Sequence, residues 1–434
     1  MISHPGESSA GARAMALVNA LARHTDEPGR LTRLYLSPAH RATGEATLAM
    51  MREAGLEARI DAVGNVIGRR EGRERGAPAL IIGSHLDSVV DAGRFDGPLG
   101  VVAGIVAAET LARQGPLPFA LEIAAFGDEE NVRFPTNLST SYALAGRYRP
   151  EWLDARDGDG DGVALRDALL AFGGDPDAVA ALARRREDVV GYLEVHIEQG
   201  PLLEWKDLAV GIVSAIAGIT RARALVTGEA GHAGTVPMAM RRDALAAAAE
   251  MIAAVERIGA RRADTVATVG AAEVRPGAVN VIAGEVAFTI DARAPEDSVR
   301  KAMVAEIEGA LRGIAERRGV TLSIDPFMDS PATVMDAGLA AILEDAAKAL
   351  GVPAMRLASG AGHDAVAMAT LCPVAMLFVR CKGGISHNPA ESIAEADADV
   401  AVRVLIEAVR RLAAQLDLGR PPRTGQPRRS ADFS

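Results

Sequence analysis

Two short apolar runs, ALIIGSH at 79–85 and LEIAAFG at 121–127, read as buried strands, and each leads directly into a cluster of His, Asp and Glu. Over roughly the first 210 residues strand and helix patterns alternate in the βαβ manner, which predicts a mostly parallel sheet with helices on both faces. Catalytic groups in such folds collect on loops beyond the carboxyl ends of the strands. Both clusters fall in that position.

From about residue 211 the rhythm changes. A strand (RARALVTG), a helix (242–262), two strands (VATVGAAEV and EVAFTIDAR), a helix (299–318) and a strand (VTLSIDPF) follow one another. This βαββαβ order is that of a small ferredoxin-like sandwich. A helix over 334–351, a strand at CPVAMLFV and a helix over 397–416 then return to the first pattern. The chain therefore predicts an α/β catalytic domain split in sequence (1–210 and 332–418) with a second domain inserted at 211–331. The last residues, 419–434, carry Arg420, Arg423, Arg428 and Arg429 among Pro and Gly and read as a disordered, solvated tail.

Composition narrows the function classes. A length of 434 residues, 49% hydrophobic and 24% charged, suffices for two or three domains with real cores. The formal charge of −10 repels phosphate backbones, so nucleic acid and anionic membranes are poor partners. The apolar stretch at 98–108 is about half of what a bilayer span needs. The first residues, MISHPGESSAG, lack the basic and apolar regions of a secretory leader. With only Cys372 and Cys381, nine residues apart, the expectation is a reducing cytoplasm and two reduced thiols. DGDGDG at 157–162 opens like a calcium loop, but Ala168 stands where a bidentate Glu is needed, so an acidic surface turn is expected.

The candidate chemistry lies in the histidine and acid clusters. GSHLDS ends an apolar strand with His85 and sets Asp87 two residues on, on the same side of extended backbone, where a carboxylate can orient an imidazole. GRFDGPLG supplies Asp96 between glycines just before an apolar helix; on its own it could equally be a helix cap. GDEEN places Glu129 and Glu130 side by side after the second strand, one suited to hold a metal and one to act as a base. EVHIEQG adds His196 and GGISHNPAES adds His387. Three imidazoles with carboxylates and no thiolate form the mixed N/O set that suits Zn²⁺ or Mn²⁺.

These segments, in unbroken order with GEAGHAGTVPM, NVIAGEVAFTIDAR and SGAGHDA, resemble the hydantoinase/carbamoylase branch of the M20 metallopeptidase family between about residues 31 and 416. The resemblance implies two divalent ions per subunit, Zn²⁺ or Mn²⁺ with Co²⁺ or Ni²⁺ as alternatives. Asp96 would bridge them, His85 and His196 completing one site and Glu130 and His387 the other. Glu129 would be the general base and Asp87 the partner of His85. Gln199 and Gly360 would contact substrate. The inserted domain would form a homodimer, in which His232 stabilises the oxyanion in the partner's site and Asn280 and Arg293 bind a substrate carboxylate.

The implied activity is hydrolysis of the carbamoyl bond of an N-carbamoyl-L-amino acid or of allantoate, with release of ammonia and CO₂. The alternatives are an aminoacylase or dipeptidase, against which His196 argues because true peptidases generally carry a carboxylate there, and a non-catalytic binding protein of the same fold. Three positions depart from the family pattern. Asn131 follows the paired acids where Gly is common, Tyr142 stands where many relatives have Arg, and Ala294 stands where His or Asp is frequent. The last two are expected to alter the pocket.

Overall fold

The computed structural model describes residues 9–158 and 162–419. The tail 420–434, residues 1–8, and Asp159 and Asp161 of the acidic run lie outside the described residues. The chain forms two compact units. The first runs to Ser214 and resumes over Met335–Leu357 and from Gly362; the second comprises Ala215–Val334 together with Ala358–Ala361, so Gly360 groups with the second unit.

In the first half of the chain the strands are β1 (Glu57–Ile60), β2 (Val66–Arg70), β3 (Ala79–His85), β4 (Ala120–Phe126), β5 (Val189–Ile197) and β6 (Val210–Ile216). Strands β7 (Gly218–Thr227), β8 (Gly231–His232), β9 (Val266–Thr268), β10 (Ala272–Arg275), β11 (Val281–Ile282), β12 (Glu285–Ala294), β13 (Thr321–Ser330) and β14 (Thr333–Val334) follow. Two more, β15 (Ala354–Ser359) and β16 (Val374–Val379), come late in the chain.

The sheet of the first unit has the order β1-β2-β4-β3-β5-β16-β6, with β15 also paired to β6. Its four central strands are parallel: β3 pairs that way with β4 and β5, and β5 with β16. The margins are antiparallel, at β1/β2, β2/β4 and β16/β6. The expectation of a mixed α/β fold with a mostly parallel sheet therefore holds for its centre. Strands covered on both faces read as continuous apolar runs rather than alternations, and every residue of β3, β4 and β16 is buried. The helix Pro98–Ala112 is buried along most of its length and shares one core with β3, β5 and the helix Glu395–Asp417.

In the second unit β12 pairs antiparallel with β7 and β10, and β7 with β13. The helices Ala244–Gly259 and Asp297–Arg318 cover one face of this sheet, meeting Ala224, Val226, Val286, Phe288, Ile290 and Ala292. VATVGAAEV, expected as one strand, is broken into β9 and β10, each paired to a different stretch of β12. Ala294 is buried on the helix-covered side of β12, opposite to Arg293, so its missing polar group concerns the core and not the face that Arg293 occupies.

One charge sits inside the otherwise apolar β4. Glu122 is buried between two guanidinium groups, Arg69 at 2.8 Å and Arg184 at 3.0 Å, and so ties β4 to β2 and to the segment entering β5. Glu122→Ala leaves both arginines without this acceptor and should cost about 1–3 kcal/mol, the range for a buried polar group losing its partner. A denaturation midpoint equal to that of the parent would show that the arginines simply rehydrate.

Candidate metal centre

The four parallel strands deliver the candidate residues to one edge. His85 is the last residue of β3, His196 the second-last of β5, the acids Asp128 to Glu130 follow β4, and His387 lies in the loop after β16. Asp96 is brought in by the turn before the helix Pro98–Ala112, whose N-terminal Gly97 has φ 82°. A Cβ there would lie 2.5 Å from the His85 ring, so only glycine lets this turn pass against the imidazole. Asp96 is therefore no side-chain cap: the helix has no side-chain hydrogen bond at its N-terminus.

Around the buried Asp96 carboxylate, one oxygen lies 3.2 Å from His196 Nε2 and 3.6 Å from His85 Nε2. The other lies 3.2 Å from His387 Nε2, which is itself 3.5 Å from Glu130. His85, Asp96 and His196 form one cluster of converging ligand atoms and Asp96, Glu130 and His387 another; His85 with Glu129 and Glu130 forms a third. Geometry alone thus leaves both adjacent glutamates within reach of a cation.

Whether this set fits a cation can be read from its protons. His85 Nδ1 lies 3.0 Å from the carbonyl oxygen of Asp87, and His196 Nδ1 lies 2.9 Å from that of Ile197. A carbonyl can only accept, so both Nδ1 atoms carry hydrogen and both Nε2 atoms, 3.5 Å apart, face the Asp96 carboxylate; there each can donate to it when protonated or offer a lone pair to a cation when neutral. Glu130 Oε1 is buried without a hydrogen-bond partner. Ring nitrogens able to present lone pairs, and a buried carboxylate oxygen lacking a partner, fit what a divalent ion requires.

The two glutamates and Asp96 differ. Burial pushes Glu130 up to about 7, and Asp96 adds to the rise. Glu129 is held well above the usual carboxylate range, by burial first and then by Glu130, against the opposing pull of His85. Burial also pushes Asp96 up, but hydrogen bonds with His196, His387 and His85 outweigh it and hold that carboxyl well below the usual range. Glu129 and Glu130, buried and raised, are the carboxylates that a bound cation would relieve.

Asp87 is placed beside His85 but does more than orient it. Its carboxylate is 3.6 Å from His85 Nδ1, farther than its own carbonyl, and accepts the backbone N–H groups of Glu129 at 3.2 Å and Glu130 at 3.1 Å. It holds the paired acids by their main chain. Asn131, with φ 55°, closes that turn in the left-handed region, which Asn tolerates. Tyr142, the other departure, is half-buried and lies 6.0 Å from the Trp152 ring.

Gln199, also left-handed at φ 57°, donates to Asp96 at 2.8 Å and lies 3.2 Å from Ser386 Oγ. In this state its amide serves the shared carboxylate, where the expectation was contact with substrate. In the second unit the short β8/β11 ladder pairs Val281 with His232, which sets Asn280 next to that histidine; Ala233 N donates to Asn280 O at 2.9 Å. Arg293 grips Asp291 through Nε at 2.7 Å and Nη2 at 2.9 Å, and donates from Nη1 to Gly360 O at 2.5 Å.

Four groups near the metal ligands escaped the sequence reading. His363 packs edge-on against His196, 4.5 Å between ring centroids. Asp364 meets Ser141 and is pushed up to about 7 by burial. Glu194, pushed up to about 8 by burial and Asp364, accepts from Ala365 N at 3.0 Å. Glu391 accepts from the Phe95 and Asp96 amides. A signal existed for Glu194, which shares a strand face with His196 two residues on, whereas His363 and Asp364 were visible only as a quoted motif.

A parallel α/β unit gathering imidazoles and carboxylates at the carboxyl ends of its strands has the make-up of a metallohydrolase. A family model described as peptidase family M20/M25/M40 matches residues 81–411. N-carbamoyl-L-amino acid amidohydrolase from Geobacillus stearothermophilus is 41% identical over 386 residues, covering 89% of this chain and 94% of that protein. Allantoate deiminase from Arabidopsis thaliana is 39% identical over 428 residues, 91% of this chain and 81% of the relative. A solved amidase of the hydantoinase/carbamoylase family from Burkholderia multivorans superposes with a TM-score of 0.87 at 32% identity, covering 94% and 99% of the two chains. The chain belongs to the M20/M25/M40 peptidase family. Hydrolases of this family are metal-dependent, and the cluster around Asp96 is this chain's candidate site. Among the described residues no helix is long and apolar enough to cross a membrane, and both cysteines are buried and free.

Because Asp87 fixes both glutamates, Asp87→Ala should cost about 10–100-fold in activity or metal affinity, the range for partners that orient metal ligands. Equal metal content and equal turnover in the variant would show that the turn holds itself.

Proposed function

We propose that this chain is a di-metal amidohydrolase that cleaves the carbamoyl group of an N-carbamoyl-L-amino acid or of allantoate, giving the amine, ammonia and CO₂. The observation that carries it is one buried carboxylate, Asp96, shared among three imidazoles, beside the paired acids Glu129 and Glu130. His85 and His196 would hold one ion and Glu130 and His387 the other, with Asp96 common to both. Divalent cations so bound acidify water and polarise a carbonyl oxygen.

Glu129 takes the proton of the attacking water and returns it to the departing nitrogen. The orphaned Oε1 of Glu130 supports giving the ligand role to Glu130 and the proton to Glu129. Arg293 and Asn280 bind the carboxylate of the substrate, a task that suits a planar guanidinium able to form parallel charged hydrogen bonds. His232 acts as oxyanion donor across a homodimer, and its exposure suits a residue that serves outside its own unit. The names of the similar amidohydrolase and deiminase support the carbamoyl group as the bond cleaved.

The deciding experiment is an ammonia-release screen with Mn²⁺ or Zn²⁺ over allantoate, N-carbamoyl amino acids, N-carbamoyl-β-alanine and dipeptides. Turnover of dipeptides alone would replace the carbamoylase reading with a peptidase one. Glu129→Gln should keep its metal content and lose at least ~10²-fold in kcat, the low end for general acid/base catalysis; normal turnover would move the base elsewhere. Arg293→Lys should raise KM for carboxylate-bearing substrates because charge is kept but the bidentate geometry is lost. An equal change on carboxylate-free amides would remove Arg293 from recognition.

A further inference from the structure

Glu391 makes four contacts that no catalytic role explains. It is buried, at 5% exposure, although it lies in a loop. One carboxylate oxygen accepts the backbone N–H groups of Phe95 at 2.7 Å and Asp96 at 3.2 Å. The other faces Ser386 Oγ at 3.1 Å, and that hydroxyl lies 2.8 Å from the Asp96 carboxylate. The Glu391 N–H is in turn bound to Asn388 O at 3.0 Å, which closes the loop carrying His387 onto itself.

Two segments nearly 300 residues apart in sequence thus meet through one side chain. Space for it has been left on the opposite side: a Cβ on Gly93 would fall 2.2 Å from the Glu391 carboxyl. We infer that Glu391 is a positioning residue that locks the Asp96 turn to the His387 loop and so sets the spacing of the second cation site. It touches the main chain of Asp96 and the hydroxyl of Ser386, never the reacting atoms. Metal-site partners of this kind typically carry 10–100-fold in metal affinity or activity.

The inference rests on the metal reading above, and its test separates the two. Metal content of the parent and of Glu391→Ala, Glu391→Asp and Glu391→Gln would be measured by equilibrium dialysis against graded chelator, with Zn²⁺ as the probe, alongside kcat, KM and thermal midpoints. Gln keeps an oxygen for both amides and can donate its NH₂ to Ser386 Oγ, so it should stay within about threefold of the parent. Asp is one methylene too short to reach both segments. Ala and Asp should therefore lose at least ~10-fold in affinity for one of two ions, lowering kcat with KM little changed.

Gly93→Ala, which displaces the carboxyl without removing it, should reproduce the Ala phenotype and serves in its place where Glu391→Ala fails to fold. A parent that binds no Zn²⁺ and still turns over would overturn the metal reading itself. A parent that binds two ions while Ala, Asp and Gly93→Ala bind them equally well would overturn only the role of Glu391. Failure of Glu391→Gln to rescue would overturn it as well, since the geometry asks for an acceptor and not for a charge.

Discussion

The Asp96 carboxylate is an anion taken almost wholly out of water, at 4% exposure, and the architecture around it exists to make that burial tolerable. Removing a charge from water costs several kcal/mol unless partners in good geometry repay it. Here the partners are three imidazoles, the Gln199 amide and the Ser386 hydroxyl, all within 3.6 Å of its oxygens. Two of the rings have their Nδ1 protons committed to carbonyls, so what they offer Asp96 comes through Nε2. A divalent ion bound there would add to this balance and would let the lifted acids Glu129 and Glu130 ionise.

That requirement propagates into the backbone. Gln199 and His387 both sit at positive φ, and Gly97 does too, at the three points where a loop must double back toward Asp96. Non-glycine residues in the left-handed region carry a cost of about 1–3 kcal/mol that the surrounding contacts must cover. The loop after β4 adds Asp128, at φ 60°, whose carboxylate binds the hydroxyls of Thr136 and Ser139. Strain collects where the parallel strands end, and the rigid sheet beneath, with its fully buried β3 and β4, is what absorbs it.

The same contrast explains what the sequence could and could not disclose. Apolar runs such as ALIIGSH are visible because burial on both faces is a local property, and His85, Glu130 and His196 follow those runs by fixed offsets. Asp96 was ambiguous between cap and ligand because the distinction lies in which way the turn faces, and that is settled by contact of Gly97 with His85. Glu391 stands inside the quoted GGISHNPAES, but nothing local marks its role: its partners are the amides of Phe95 and Asp96, and no spacing rule links a loop glutamate to main-chain donors far upstream. The break between β9 and β10 was hidden for a related reason, since the residues between them are as strand-like as their neighbours and only pairing to β12 separates the two. At Ala294 the departure from the family pattern is visible in the sequence, but the alternation along β12 that turns it into the core shows only once the strand's faces are known.

The second unit shows how a charged side chain can be held rigid and keep donors to spare. A guanidinium has five N–H donors, and Arg293 spends three of them, two on Asp291 and one on Gly360 O. Asp291 is also gripped by Arg221 at 2.8 Å, and although burial raises its carboxyl, the two arginines prevail and hold it below the usual range. One carboxylate therefore serves two cations, and this cluster of three side chains keeps a net positive charge while Arg293 is fixed in its rotamer. Rigid attachment removes the entropy that a long side chain would otherwise lose on binding, and the remaining N–H groups retain the planar arrangement that a carboxylate can meet. A lysine at this position would have no donors left over in a fixed plane, so in the proposed role of Arg293 as a holder of a carboxylate its shape would count beyond its charge.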